Sequence, residues 1–268
     1  MGRPHGVGTL AGLGLLVALA ALARATGAAG LDLAPATACF ERNAPKSTVS
    51  FAVEFVKTDR IGGERTSRAL VMGKKLNDGL RRIVLRFDRP LEMHGTAMLM
   101  IESADGPSDF YVWSPGERKV RRVSGRNNSG LFGTDFSYDD FENWRSFQKH
   151  GKAERLPDAK VGDRAVYVIS GQPAAGEESS YERIVTSIDR DTCVVLQVDS
   201  YEPGGRLRKV LHADPAKIEQ VGELQFATAI DLEDKLDQTH TRVTLDKVQL
   251  DAAIPDSRFR PADLSSGN

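Results

Sequence analysis

Ser47 to Thr58 reads STVSFAVEFVKT, and its side chains alternate: Val49, Phe51, Val53 and Phe55 fall on one face, Ser50, Ala52 and Glu54 on the other. A period of two is the signature of a β-strand with one buried face. Gly62-Gly63 turns the chain, and Glu64 to Lys75 returns as a second strand. Asp78-Gly79 then supplies a tight-hairpin signal before Arg81 to Asp88, where Ile83, Leu85 and Phe87 alternate with Arg82, Val84 and Arg86. Three strands in succession make a meander. Working outward, strand-like stretches recur at Ala97–Glu102, Asp109–Trp113, Lys119–Val123, Arg164–Ser170, Tyr181–Asp189, Cys193–Tyr201, Leu207–His212 and Thr239–Leu250. The total is about eleven strands, each bounded by Gly, Pro, Asn or Asp.

Helix signals are few: Pro35 to Asn43, Tyr138 to Gln148 with Ser137 as its N-cap, and a short piece within Pro255 to Leu264. Strands without intervening helices argue for a mainly β fold built on one antiparallel sheet, not for a doubly wound one. A flat sheet of that size would expose two long faces, so it is expected to curl into a barrel, half-barrel or sandwich. No linker or internal repeat divides the body.

The chain has 268 residues, 36 Lys and Arg against 37 Asp and Glu, and 40% apolar residues, the composition of an ordinary globular protein. That charge balance argues against a nucleic-acid partner, because phosphate binders carry a clear excess of cations. Residues 1–29 read as a secretory signal peptide: Arg3, then the apolar run Leu10 to Ala23, then small residues from Ala25 onward. The run is shorter than the roughly 20 residues that span a bilayer as a helix. Removing Arg3 and Arg24 with it leaves 34 basic and 37 acidic groups in a domain over residues 30–268, expected to be periplasmic and monomeric. In an oxidising compartment Cys39 and Cys193 can pair, and closing so long a loop stabilises by roughly 4 to 5 kcal/mol on the chain-entropy model. The alternative is two buried small hydrophobes.

Motifs for catalysis are absent: no Gly-x-Ser-x-Gly, no phosphate-cradling glycine loop, no His-Glu-x-x-His, and His94, His150, His212 and His240 lie on separate segments. Asp135, Asp139, Asp140 and Glu142 cluster without the spacing of an EF-hand, and Asp139 and Asp140 suit a helix start. Asn127-Asn128-Ser129 is a formal glycosylation sequon. Neither a catalytic residue, a metal nor a cofactor is expected. Two cysteines cannot build a multi-cysteine zinc or iron–sulfur site.

Leu131-Phe132-Gly133-Thr134-Asp135-Phe136-Ser137-Tyr138-Asp139-Asp140 resembles a motif of the outer-membrane lipoprotein-sorting family, the LolA-like group of bacterial periplasmic proteins. Arg89-Pro90 through Gly95-Thr96-Ala97-Met98-Leu99, Tyr111-Val112-Trp113-Ser114-Pro115 with Lys119-Val120-Arg121-Arg122, and Ile254 to Phe259 resemble further pieces in the same order. The resemblance covers Cys39 to Leu264. It implies a half-barrel of about eleven strands, closed by short helices over an apolar cavity that holds lipid or lipoprotein acyl chains. The cavity candidates are Val49, Phe51, Val53, Phe55, Ile83, Leu85 and Phe87, with either Met98 and Met100 or Leu99 and Ile101. Methionines suit an adaptable pocket.

Within the motif, Gly130 and Gly133 permit tight or positive-φ backbone, and Asp135 is expected to accept backbone N–H bonds inside the loop. Phe132, Phe136, Tyr138 and Phe141 supply aromatics for a lid over the open end, together with Gly133, Thr134 and Asp135. A loop packed once and never moved is the alternative. The basic run Arg118 to Arg126 reads as a solvated strand face, with an acidic headgroup or a permease dock as the other reading. Two function classes stay open. One is a non-enzymatic carrier of hydrophobic cargo, with an inner-membrane export permease as a partner. The other is a solid-cored envelope scaffold for a permease of the resistance-nodulation-division type. Cavity volume separates them.

Overall fold

The computed structural model describes residues 31–104, 106–123, 130–146, 151–173 and 179–266. The leader at 1–29, the sequon at 127–129, His150 and the last two residues expected in the second helix lie outside the described residues.

Thirteen antiparallel strands form one curved sheet. The chain starts at its centre and runs out to one edge through β1 (Thr48–Thr58), β2 (Glu64–Lys75), β3 (Arg81–Arg89), β4 (Ala97–Ile101), β5 (Asp109–Ser114) and β6 (Lys119–Val123). It then crosses to the opposite edge. From there β7 (Gly151–Val161), β8 (Arg164–Pro173), β9 (Arg183–Asp189), β10 (Val195–Glu202) and β11 (Arg206–Ala213) return toward the centre. A two-stranded flap of β12 (Ile218–Val221) and β13 (Leu224–Ala227) is followed by β14 (Ala229–Asp234) and β15 (Thr239–Leu250), and β15 pairs with β1. The sheet is a half-barrel with β6 and β7 as its two edges.

The expected eleven strands are all present, and four more were not anticipated. β7 (GKAERLPDAKV) carries charge and Pro157, with a register shift between Leu156 and Ala159. Those are the marks of an edge strand kept from pairing further, and they hide its period of two. β12 and β13 have four residues each, too short for alternation to register, and in β14 (AIDLED) three acids accompany only Ile230 and Leu232 as large apolar residues.

Cross-strand register assigns the faces. Phe51 lies opposite Val71, Val71 opposite Leu85, and Leu85 opposite Met98, so these residues share the concave face. Leu99 points outward, where Val84, Phe259 and Leu264 cover it, and this decides strand β4 in favour of Met98 and Met100. The C-terminal 3-10 turns Asp256–Phe259 and Pro261–Asp263 thus seal part of the convex side. Helix α1 (Ala34–Arg42) is tied down by a disulfide between Cys39 and Cys193.

Candidate functional site

The two ends of the concave face differ. At one end the face is filled by the connection between edge β6 and edge β7, which carries the Leu131–Gly133 turn and helix α2 (Tyr138–Ser146). Phe136 packs edge-on against Phe55 at 6.2 Å between centroids, Phe132 lies 5.0 Å from Phe87, and Tyr138 lies 4.9 Å from Phe110. Four acids anchor this segment. The Asp135 carboxylate accepts from Lys57 Nζ (2.6 Å), Thr239 Oγ1 (2.5 Å) and Thr241 Oγ1 (2.7 Å), which fixes it to β1 and β15. Asp140 accepts from buried Lys209 Nζ (2.7 Å) and from the Tyr181 hydroxyl (2.7 Å). Asp139 takes the Ser180 N–H, and Glu142 takes the Ser108 N–H.

Asp135 therefore binds the sheet through side chains, not the loop backbone as its sequence context suggested. The reason is its position over the centre of the concave face, where Lys57 and Thr241 are cross-strand partners pointing at it. Ser137 and Asp140 form a reciprocal cap: the Ser137 N–H donates to Asp140, and the Asp140 N–H donates to Ser137 Oγ. Gly133 has φ +73°, and Phe132 itself is left-handed at φ 52°. Gly130 has an ordinary φ of −55°. It is a glycine for space, since a Cβ there would come within 1.8 Å of the Thr134 carbonyl oxygen. Burial, reinforced by the Asp140 carboxylate, pushes the Tyr181 phenol above its usual range. Burial likewise pushes the Asp139 carboxyl up, because the charged form is desolvated.

At the other end the face is unfilled. A cavity of about 360 Å³ opens there. Its walls include Val49, Phe51, Val53 and Phe55 of β1, Ile83 and Leu85 of β3, and Met98 and Met100 of β4. Phe136 and Phe141 of the crossing segment form its floor. Burial decreases along the strands: Val53 is 3% exposed and Leu85 5%, Val49, Phe51 and Ile83 are half-buried, and Lys75 is exposed. The mouth therefore lies at the β2–β3 hairpin end. Phe87 has the expected face but lies past the floor, under Phe132, and does not line the cavity. Alternation fixes which face a residue takes, but not how far along the strand the void extends.

Sequence reading missed the far wall and the rim. Phe40 of α1 and its C-cap Asn43 reach the mouth because the disulfide holds the helix there, and Asn43 Nδ2 donates to the carbonyls of Cys193 and Gln225. Leu224, Phe226 and Ala227 of the flap line the opposite side. No linear signal marks residues brought in by a disulfide and a four-residue hairpin. The basic run on β6 is exposed, with Arg121 paired to Glu117 and Arg122 to Asp109. Among the described residues no group of three or more His, Cys, Asp or Glu is placed to hold a metal ion.

A family model with the description "Uncharacterized protein" matches residues 79–266. Three solved structures are similar over most of the fold. A Vibrio parahaemolyticus domain described as outer membrane lipoprotein-sorting superposes with a TM-score of 0.79 at 20% identity, covering 87% of this chain and 97% of that one. A DUF1329 family protein from Desulfovibrio piger gives 0.78 at 23% identity, covering 86% and 96%. A LolA superfamily protein from Nitrosomonas europaea gives 0.65 at 17% identity, covering 84% and 97%. The chain belongs to the family that this model describes, and its fold is that of the LolA-like structures. No curated protein matches it. The LolA-like half-barrel accounts for the open sheet, and the crossing segment that plugs one end is the stretch that carried the family resemblance in the sequence.

Proposed function

We propose that the protein is a non-enzymatic periplasmic carrier that holds the hydrocarbon part of a lipid or lipoprotein in its cavity during transfer across the envelope. One observation carries this reading: the concave face is left open over about 360 Å³ instead of being packed solid. Interiors are normally close-packed, and a void this large lined by Phe, Val, Leu and Met is within the size range of ligand pockets. A solid-cored scaffold has no use for it. The name of the Vibrio relative, lipoprotein-sorting, points the same way. The 1–29 leader supplies the export route, and an inner-membrane permease is the partner that would load or unload the cargo.

The Phe132–Phe141 segment acts in this reading as a fixed plug. Its acids are engaged with β1, β11 and β15, so moving it would expose buried charges. Cargo enters from the hairpin end. The test is native mass spectrometry, without reduction, on protein purified from a bacterial periplasm with its own leader, followed by extraction of bound species. A bound lipid or acyl chain of defined mass is expected. A clean unliganded mass that persists after mixing with envelope lipids would contradict carriage.

A further inference from the structure

We infer that the cargo is an amphiphile with an anionic headgroup, and that Lys75 and Arg81 hold that headgroup at the mouth while its hydrocarbon chain lies in the cavity. This rests on the carrier reading above and specifies its substrate class.

The argument starts from register. Lys75 lies directly opposite Arg81, and Lys74 directly opposite Arg82, so two like-charge pairs sit side by side at the end of one hairpin. Like charges opposite each other destabilise a sheet, and such pairs need compensation. On the convex face it is present. Lys74 Nζ lies 2.8 Å from Asp256 and donates to the Ile254 carbonyl, and Arg82 pairs with Asp78 at 2.5 Å. On the concave face it is missing. Neither the Lys75 ammonium nor the Arg81 guanidinium has a carboxylate partner among the described residues, and the nearby Glu102 accepts the Arg81 backbone N–H. The two faces of the same hairpin carry the same charges and differ in whether the protein neutralises them.

All four cations border the cavity mouth, but the uncompensated pair is the one on the concave rows: Lys75 and Arg81 continue Val71–Gly73 and Leu85–Ile83, whereas Lys74 and Arg82 are held by Asp256 and Asp78. A ligand whose chain occupies the space between Phe51 and Met100 would therefore place its polar end between these two cations. An oxyanion fits there: Arg offers a planar fork of donors and Lys a mobile point charge, and both bonds are charge-assisted. Either a carboxylate or a phosphate meets that requirement.

The test uses the full exported domain with its disulfide intact and displacement of a fluorescent acyl probe. The competitors share one hexadecyl chain and differ in headgroup: hexadecanoate, hexadecyl phosphate, hexadecylphosphocholine and hexadecanol. The anionic competitors are expected to bind at least about tenfold tighter than the alcohol and the zwitterion, the size expected for hydrogen bonds to charged groups. The variant Lys75→Gln/Arg81→Gln is expected to bring them to the level of the alcohol. Phosphate favoured over carboxylate would indicate a phospholipid source, and the reverse a fatty acid; both support the inference. Equal binding of all four, or an anionic preference that survives in the double variant, would overturn the headgroup assignment while leaving carriage standing. Failure of every amphiphile to displace the probe would overturn both.

Discussion

The plugged end and the open end of the half-barrel share the same strands and the same alternation, yet they are filled in opposite ways. At the plugged end Lys57 and Lys209 have internal carboxylates, Asp135 and Asp140, and aromatic rings pack beside them. Toward Lys75 and Arg81 the concave cations have none, and the apolar wall below them has no lid. Where the protein supplies its own anions and its own aromatics, the face is a core. Where it supplies neither, the face is a site awaiting a molecule with both a hydrocarbon chain and a charge.

Substitutions should separate the two ends. Lys209→Ala leaves Asp140 buried without its cation and should cost about 4 kcal/mol in urea unfolding, the usual penalty for breaking a buried pair. Phe51→Ala, on a half-buried wall residue, should cost only about 1 kcal/mol but sharply weaken amphiphile binding in the displacement assay. Comparable stability losses at both positions would erase the distinction. Lys75→Gln removes a like-charge opposition and should raise stability by about 0.5 kcal/mol while lowering affinity for anionic amphiphiles. A residue that makes the fold less stable and the ligand tighter is there for binding.

The smallest effect concerns pH. Burial raises the Asp139 carboxyl above its unfolded value, so its contribution to stability is present below the ordinary Asp pKa and is lost as pH rises through the folded one. Asp139→Asn cannot titrate and can still accept the Ser180 N–H. Unfolding midpoints measured against pH should show the wild type losing stability relative to this variant as pH rises from acid to neutral. A parallel pair of curves would mean that the plugged end does not desolvate that group.

The open end was more legible in the sequence than the plugged one. The period of two in Ser47–Thr58 and Arg81–Asp88 was enough to put Val49, Phe51, Leu85 and their neighbours on one face, because strand geometry is local. The plug depends on partners far apart in the chain: Lys57 lies 78 residues from Asp135, and Asp135 lies 106 from Thr241. The rim was hidden for a different reason. Lys75 and Arg81 are set opposite each other by hairpin register, which the alternation of a single strand does not give. Phe87 shows the same limit from the other side, right in face and wrong in depth.

The central claim is that a hydrocarbon chain enters the concave face at the hairpin end. Methionine-methyl NMR tests it directly, because Met98 and Met100 line the cavity whereas Met72 packs on the convex face. Titration with hexadecyl phosphate should shift the Met98 and Met100 methyl signals together, with broadening by a spin label on the chain, and leave Met72 in place. Shifts confined to Met72, or none at Met98 and Met100 under conditions where the ligand binds, would contradict the account.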